Sequence, residues 1–180
     1  LESGADLDAW LRLASLICNL GARPVPTSAA EQDTAVARVI GLPHVLAEVL
    51  ALAGLAGGPL GLSLAAGSYT SGSRVARTRP ELVATWCDGN PGLAAALDDV
   101  IERLTATRAQ LRDGGSVLPL AQAGYAARMG WEQRQFEPVE LPARASDLLA
   151  HGAGGGWITA VLVGASGPPR LLGMRPVAHS

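Results

Sequence analysis

From Leu7 to about Met129, apolar residues recur at three- and four-residue steps, the helical period. Asp6 can cap a first helix that carries Trp10, Leu13, Leu16, Ile17 and Leu20, with Gly21 as its stop. Arg23–Thr27 reads as a short extended segment. Pro24 and Pro26 cannot donate to a ladder, so it is an edge strand or no strand at all. Ser28-Ala-Ala-Glu31 has capping-box spacing and predicts the start of a long helix. Val36, Val39, Ile40, Leu46, Val49, Leu50 and Ala53 form the expected buried stripe of that helix. Pro43 has no N–H and crowds the carbonyl four residues back, which predicts a kink near Val39–Pro43.

Gly57-Gly-Pro59 ends that element. A short apolar helix is expected over Leu60–Ala66, stopping at Gly67, followed by a polar loop at Ser68–Ser73. Thr78-Arg-Pro-Glu81 repeats the capping-box spacing and opens a helix to about Asp88, with Gly89 as terminator. Asn90-Pro91 is a cap followed by proline at the first helical position. The helix from Pro91 to Arg112 has Leu93, Leu97, Val100, Ile101, Leu104 and Leu111 on one face. After Asp113-Gly-Gly115 one more helix fits within Val117–Met129. From about Glu132 the pattern changes. A triple glycine, Gly154–Gly156, precedes a strand-like run at Trp157–Val163. A turn at Gly164–Pro169 then leads to a second strand near Arg170–Arg175, which together suggest a small β-hairpin. The fold class read from these patterns is mainly α: a helical bundle with one kinked long helix and a C-terminal hairpin. The chain has no internal repeats.

Composition narrows the function. The chain has 180 residues, 48% hydrophobic and 17% charged, as in a globular domain. Only 4% are aromatic, so the core must be built from Ala, Leu and Val, which favours closely packed helices. The net charge of -2 argues against a nucleic-acid partner. Cys18 and Cys87 are far apart and in no metal-type spacing, and read as reduced thiols. No apolar run is expected to reach the roughly 18 residues of a membrane span. Val45–Leu64 comes nearest but holds Glu48 and the Gly-Gly-Pro break. No signal peptide is visible, and a chain that starts without Met fits a processed or truncated piece. With three His and no Gly-x-Ser-x-Gly, neither a metalloenzyme nor a nucleophile-based hydrolase is expected.

Three spaced motifs carry a resemblance. The first is Gln32-Asp33 followed by Ile40-Gly41-Leu42-Pro43-His44. The second is Ala66-Gly67-Ser68-Tyr69 leading to Ser73-Arg74-Val75-Ala76. The third is Asn90, sixteen residues after Arg74 and just ahead of the long helix. In order, spacing and helical setting they resemble the prephenate dehydrogenase family, which typically reads His-Asp, Ser-His-Leu-Pro-His and Thr-Arg-Ile/Val-Ala. The match covers roughly Leu7 to Arg112, with a weaker continuation to Met129.

The resemblance implies an N-terminal nucleotide-binding domain, absent from this chain, and a helical C-terminal domain that dimerises. It implies NAD- or NADP-dependent oxidation and decarboxylation of prephenate, or of its amino analogue arogenate. The implied division is 1–27 as the end of the nucleotide-binding domain, 28–131 as the dimerisation and substrate domain, and 132–180 as an extension. The implied partners are a second copy of the chain and a small dicarboxylate, in the cytoplasm, with neither nucleic acid nor membrane. The catalytic His and the cofactor loop of the family belong to the other half. His151–Gly156, the nearest run to a dinucleotide fingerprint, lacks the strand–turn–helix setting and the spaced third glycine.

Four residues are then candidates for the substrate site. Arg74 can hold a carboxylate through two parallel charge-assisted hydrogen bonds, or can be a solvated or helix-capping arginine like Arg77 and Arg79. His44 follows the kinking proline, and reads either as a pocket residue or as a buried histidine bonded to a freed carbonyl such as that of Val39. Gly67 allows close backbone approach, and Ser71 shares its loop; a plain helix terminator is the plainer reading of Gly67. Asp33 fits the first turn of its helix, where negative charge is favoured. The departures are Gln32 for His, Ile40-Gly41 for Ser-His, Val83 for a common Trp, with Trp86 one turn on, and Ser71 for a common Asp. They leave open a dehydrogenase for an amino-substituted prephenate, a non-catalytic dimerisation or regulatory module, or a different two-domain dehydrogenase.

Overall fold

The computed structural model describes residues 1–2, 4–162 and 168–177. The element order is α1 (Leu7–Asn19), α2 (Ala29–Val36), a π-helical turn (Ala37–Gly41), α3 (Leu42–Ala56), α4 (Gly58–Ser63) and α5 (Gly67–Gly72). A 3-10 turn (Arg74–Arg77), α6 (Pro80–Cys87), α7 (Pro91–Arg112) and α8 (Leu118–Glu132) follow. The chain closes with β1 (Phe136–Pro142), α9 (Ala145–Ala153), β2 (Trp157–Leu162) and β3 (Arg170–Pro176). The fold is mainly helical, with a small C-terminal sheet. It divides into two compact units, Gln32–Gly115 and the pair of segments Leu1–Glu31 and Ser116–Ser180.

The unit Gln32–Gly115 is built on a helix that runs without a break from Ala29 to Ala56. Pro43 does not break it. The helix widens ahead of the proline, and the Leu42 N–H donates to the Ala37 carbonyl, five residues back. This π turn, Ala37–Gly41, falls where the sequence predicts the kink, and it accommodates the proline's missing donor without ending the helix. The buried face differs from the expected stripe: Ala37, Gly41, His44 and Ala47 point inward. Val39, Val49, Leu50 and Leu46 are exposed, Val39 to 70%. Small residues let α7 approach closely. A Cβ on Gly92 would sit 3.2 Å from Ala37 Cβ, and α7 turns Leu93 and Ala96 into the same contact. The large residues are thereby left on the outside.

The local signals are mixed in outcome. Asn90 caps α7 by accepting from the Gly92 N–H, and its amide donates to the Asp33 carbonyl. Thr78 does not cap; α6 starts two residues later behind Arg79, with no side-chain cap and Pro80 in the first turn. The expected helix at Leu60–Ala66 begins earlier, at Gly58, and ends at Ser63. The expected loop at Ser68–Ser73 is mostly the helix α5. Its residues are short and polar, but Tyr69 packs its ring over Gly54 and donates its hydroxyl to the Ala51 carbonyl at 3.2 Å. That tertiary anchor overrides weak helix propensity.

The other unit holds the sheet. The order is β1-β3-β2, with β3 antiparallel to both neighbours. β1 and β2 are therefore parallel, and α9 is the crossover between them, a split β-α-β arrangement. The expected hairpin is present as β2 and β3; β1 and α9 went unread. Val163 and residues 164–167 of the expected turn lie outside the described residues. Leu148 of α9, Ile158 of β2 and Leu171 of β3 are fully buried, and Leu11 of α1 completes their cluster. Arg23–Thr27 is not a strand, but the Pro24 carbonyl accepts from Ile158 N–H at the open edge of β2. Asp6 caps α1 as expected, and Ser28 and Glu31 exchange the two bonds of a capping box.

Candidate functional site

The first turn of α3 carries the best-defined polar group in the unit Gln32–Gly115. His44 is only 8% exposed. Its imidazole lies 5.1 Å from the Trp86 ring, tilted by 48°. Nδ1 is buried and has no hydrogen-bond partner among the described residues, so no freed carbonyl of the π turn satisfies it. A buried unpaired N–H is costlier than an unpaired acceptor. In the neutral Nε2–H tautomer no buried N–H is left unpaired, and the ring's donor is Nε2.

Gly41 sits one turn before His44 and explains one departure from the family pattern. A Cβ there would lie 3.2 Å from Leu93 Cδ1 and 3.8 Å from Cys87 Sγ. A side chain here would require Leu93 to give by a few tenths of an ångström, while Cys87 lies at ordinary contact distance. Cys87 is half-buried; burial pushes its thiol pKa up, and the Asp88 carboxylate adds to the shift. It is a packing residue with little thiolate character.

Arg74 opens the 3-10 turn, which packs against α3. Its side chain is exposed, and it forms no ion pair or hydrogen bond with any described residue. Gly67 and Ser71 are exposed on α5, which also packs against α3. A Cβ at Gly67 would meet nothing within 4 Å, so crowding does not explain the glycine. Ser73 ties this segment down by donating to the Tyr69 carbonyl at 2.7 Å. The segments bearing Gly67, Ser71 and Arg74 thus pack on α3, the helix whose first turn carries His44, but α5 meets it at Ala51 and Gly54, two to three turns beyond His44. Sequence reasoning missed two residues here. Tyr69 was visible only as part of a motif, and Trp86 only as a displaced aromatic; a tertiary contact gives each its role.

Two other features matter for chemistry. Gly154–Gly156 lies where α9 ends and β2 begins, with Gly155 at a φ of 81°. A dinucleotide cradle needs the reverse order, strand into helix, so these residues do not fit a nicotinamide cofactor. No group of three or more metal-ligating side chains occurs among the described residues.

The outer surface of this unit is strongly apolar. On α3, Val49, Leu52 and Leu55 are 58%, 67% and 62% exposed. On α7, Ile101, Leu104 and Leu111 are 58%, 55% and 54% exposed. The helix Ala29–Ala56 is long and apolar enough to cross a membrane by length and composition; Arg38 and Glu48 interrupt its apolar run without breaking the helix. Large apolar side chains left exposed in this number are characteristic of a contact surface.

Residues 28–116 match the family described as prephenate dehydrogenase, dimerization domain. The crystal structure of a "putative prephenate dehydrogenase" from Corynebacterium glutamicum is similar to the chain, with 41% identity and a TM-score of 0.67. The similarity covers 70% of this chain and 40% of that one, so the chain spans less than half the length of that relative. Comparison with curated proteins gave no match. The motif order, the helical unit and these two likenesses agree: residues 28–116 match the C-terminal dimerisation domain of the prephenate dehydrogenase family.

Proposed function

We propose that the chain is the dimerising, substrate-contacting part of a prephenate or arogenate dehydrogenase. The observation that carries this reading is the coincidence of the matched residues, 28–116, with the compact unit 32–115, whose helices leave their large apolar side chains uncovered. In the intact enzyme a nucleotide-binding half holds NAD or NADP, and that cofactor accepts the hydride as the ring loses carbon dioxide. Residues 1–27 are the end of that half. The reaction is cytoplasmic.

In this reading Arg74 grips a substrate carboxylate. Among the described residues its guanidinium has no ion-pair or hydrogen-bond partner, which supports its availability to an anion. Charge-assisted hydrogen bonds of this kind contribute about 1.5–3 kcal/mol each, or one to two decades of affinity. His44 donates from Nε2 to a substrate oxygen, and Gly67 and Ser71 border the ligand. In the intact enzyme, Arg74→Ala is expected to raise KM by about 10- to 100-fold with a smaller change in kcat. An unchanged KM would take Arg74 out of the site.

A second reading is supported by Gly41, where the usual polar side chain is replaced by close packing on Leu93. A pocket altered in this way fits a changed substrate, such as an amino-substituted prephenate, or a dimerisation module with no catalysis. Thermal-shift comparison of prephenate with amino-substituted analogues separates these. Stabilisation by prephenate supports the first reading, by the analogue alone the second, and by neither the module.

A further inference from the structure

We propose that helix α8 is an arm that packs on a second copy of this chain, between the apolar outer helices of that copy. The proposal rests on the dimer reading above and extends it beyond the matched residues, which end at 116, two positions before α8 begins.

The observation is an exposed helix with two apolar faces. Only Met129 of α8 is even half-buried; the other residues from Leu118 to Glu132 are exposed. At 100° per residue, Leu118, Tyr125 and Met129 fall on one face. Leu120, Ala127 and Trp131 fall on the opposite face. Leu118, Tyr125 and Trp131 are 57%, 69% and 55% exposed. A helix apolar on opposite sides is normally a buried helix. Nor can α8 stand by itself: it has 15 residues, among them Gly124 and Gly130, and isolated helices of that length are marginal in water. Something must cover it.

A second copy is the occupant that fits. The helices just ahead of α8 in sequence form the unit whose family is described as a dimerisation domain, and their apolar outer faces on α3 and α7 also lack cover. Two surfaces of the same chemistry, adjacent along the chain and both uncovered, satisfy each other across a two-fold axis. The charges on α8 do not oppose this, since Arg128 and Glu132 neutralise each other at 2.5 Å.

Amide hydrogen exchange on the full chain tests the proposal, with light scattering at each concentration used. In the dimer, α8 amides are expected to exchange about 100-fold more slowly than in a free peptide, and to lose that protection on dilution to monomer. The amides of β1–β3 should not change. A dimer with α8 unprotected overturns the arm and leaves the dimer intact. Protection of α8 that is independent of concentration means that it packs within its own chain, and protection only in detergent micelles means a lipid surface; both overturn the proposal. A monomer at all concentrations removes the dimer reading as well. The double variant Tyr125→Asp/Trp131→Asp should raise the dimer dissociation constant by about 100-fold or more. An unchanged constant also overturns it.

Discussion

Gly152 shows how much a single hydrogen can decide. It faces the Pro26 carbonyl so closely that a Cβ would overlap the oxygen, and both partners are backbone that cannot rotate aside. Gly152→Ala should lower stability by about 3 kcal/mol, near the top of the overpacking range, as read by the urea midpoint. Gly67→Ala, into open space, should change the midpoint little. Glu31 gives a pH-dependent prediction. Its carboxylate accepts from the Ser28 hydroxyl at 2.8 Å and from the Ser28 N–H at 3.2 Å, and these bonds hold its pKa below the usual carboxylate value, the hydroxyl being the larger cause. A folded-state pKa that is lowered stabilises above the unfolded value and is lost as pH falls through the folded value. Melting temperature should therefore fall between about pH 5 and about pH 3, and Glu31→Gln should flatten that part of the curve. The pair Ser28/Glu31 was legible because a capping box needs only local geometry. The contacts of Gly152, Trp86 and Gly41 were not, because each depends on residues far away in sequence.

At the level of elements, periodicity located the helices better than it assigned their faces. α7 appeared where the pattern placed it, but of its expected stripe only Leu93 is buried, together with Ala96. The same inversion holds on α3. An apolar stripe records that a face avoids water without saying which partner covers it, and here Ala and Gly take the intrachain contacts. The large side chains are left for another molecule. Leu104→Glu should then dissociate the dimer, with a dissociation constant raised by roughly 100-fold, as burying a leucine contributes about 1.5–3 kcal/mol. Light scattering against concentration measures this, and far-UV circular dichroism should stay near the parent value. β1 was unreadable for a related reason. Its sequence, Phe-Glu-Pro-Val-Glu-Leu-Pro, alternates as a strand should, but two prolines argue against a strand from sequence alone. They are tolerated because β1 pairs on one side only, with β3.

For the whole molecule, the first and last segments share one core. Leu11 of α1 closes the cluster formed by Leu148, Ile158 and Leu171, with Trp10, Leu7 and Cys18 packed around it. A chain started at residue 28 would lack that cover. It should show lost protection of the strand amides and aggregation on concentration, whereas the unit 32–115 should keep its helical signal. Burial also raises the Cys18 pKa, so alkylation by a thiol reagent should be slow in the full chain. The consequence reaches beyond the laboratory. A tail that depends on α1 cannot be gained or shed independently of it. Kindred proteins that end soon after α8 should therefore carry a more hydrophilic face at the positions of Leu7, Trp10 and Leu11, so that tail and opening helix are inherited as a pair.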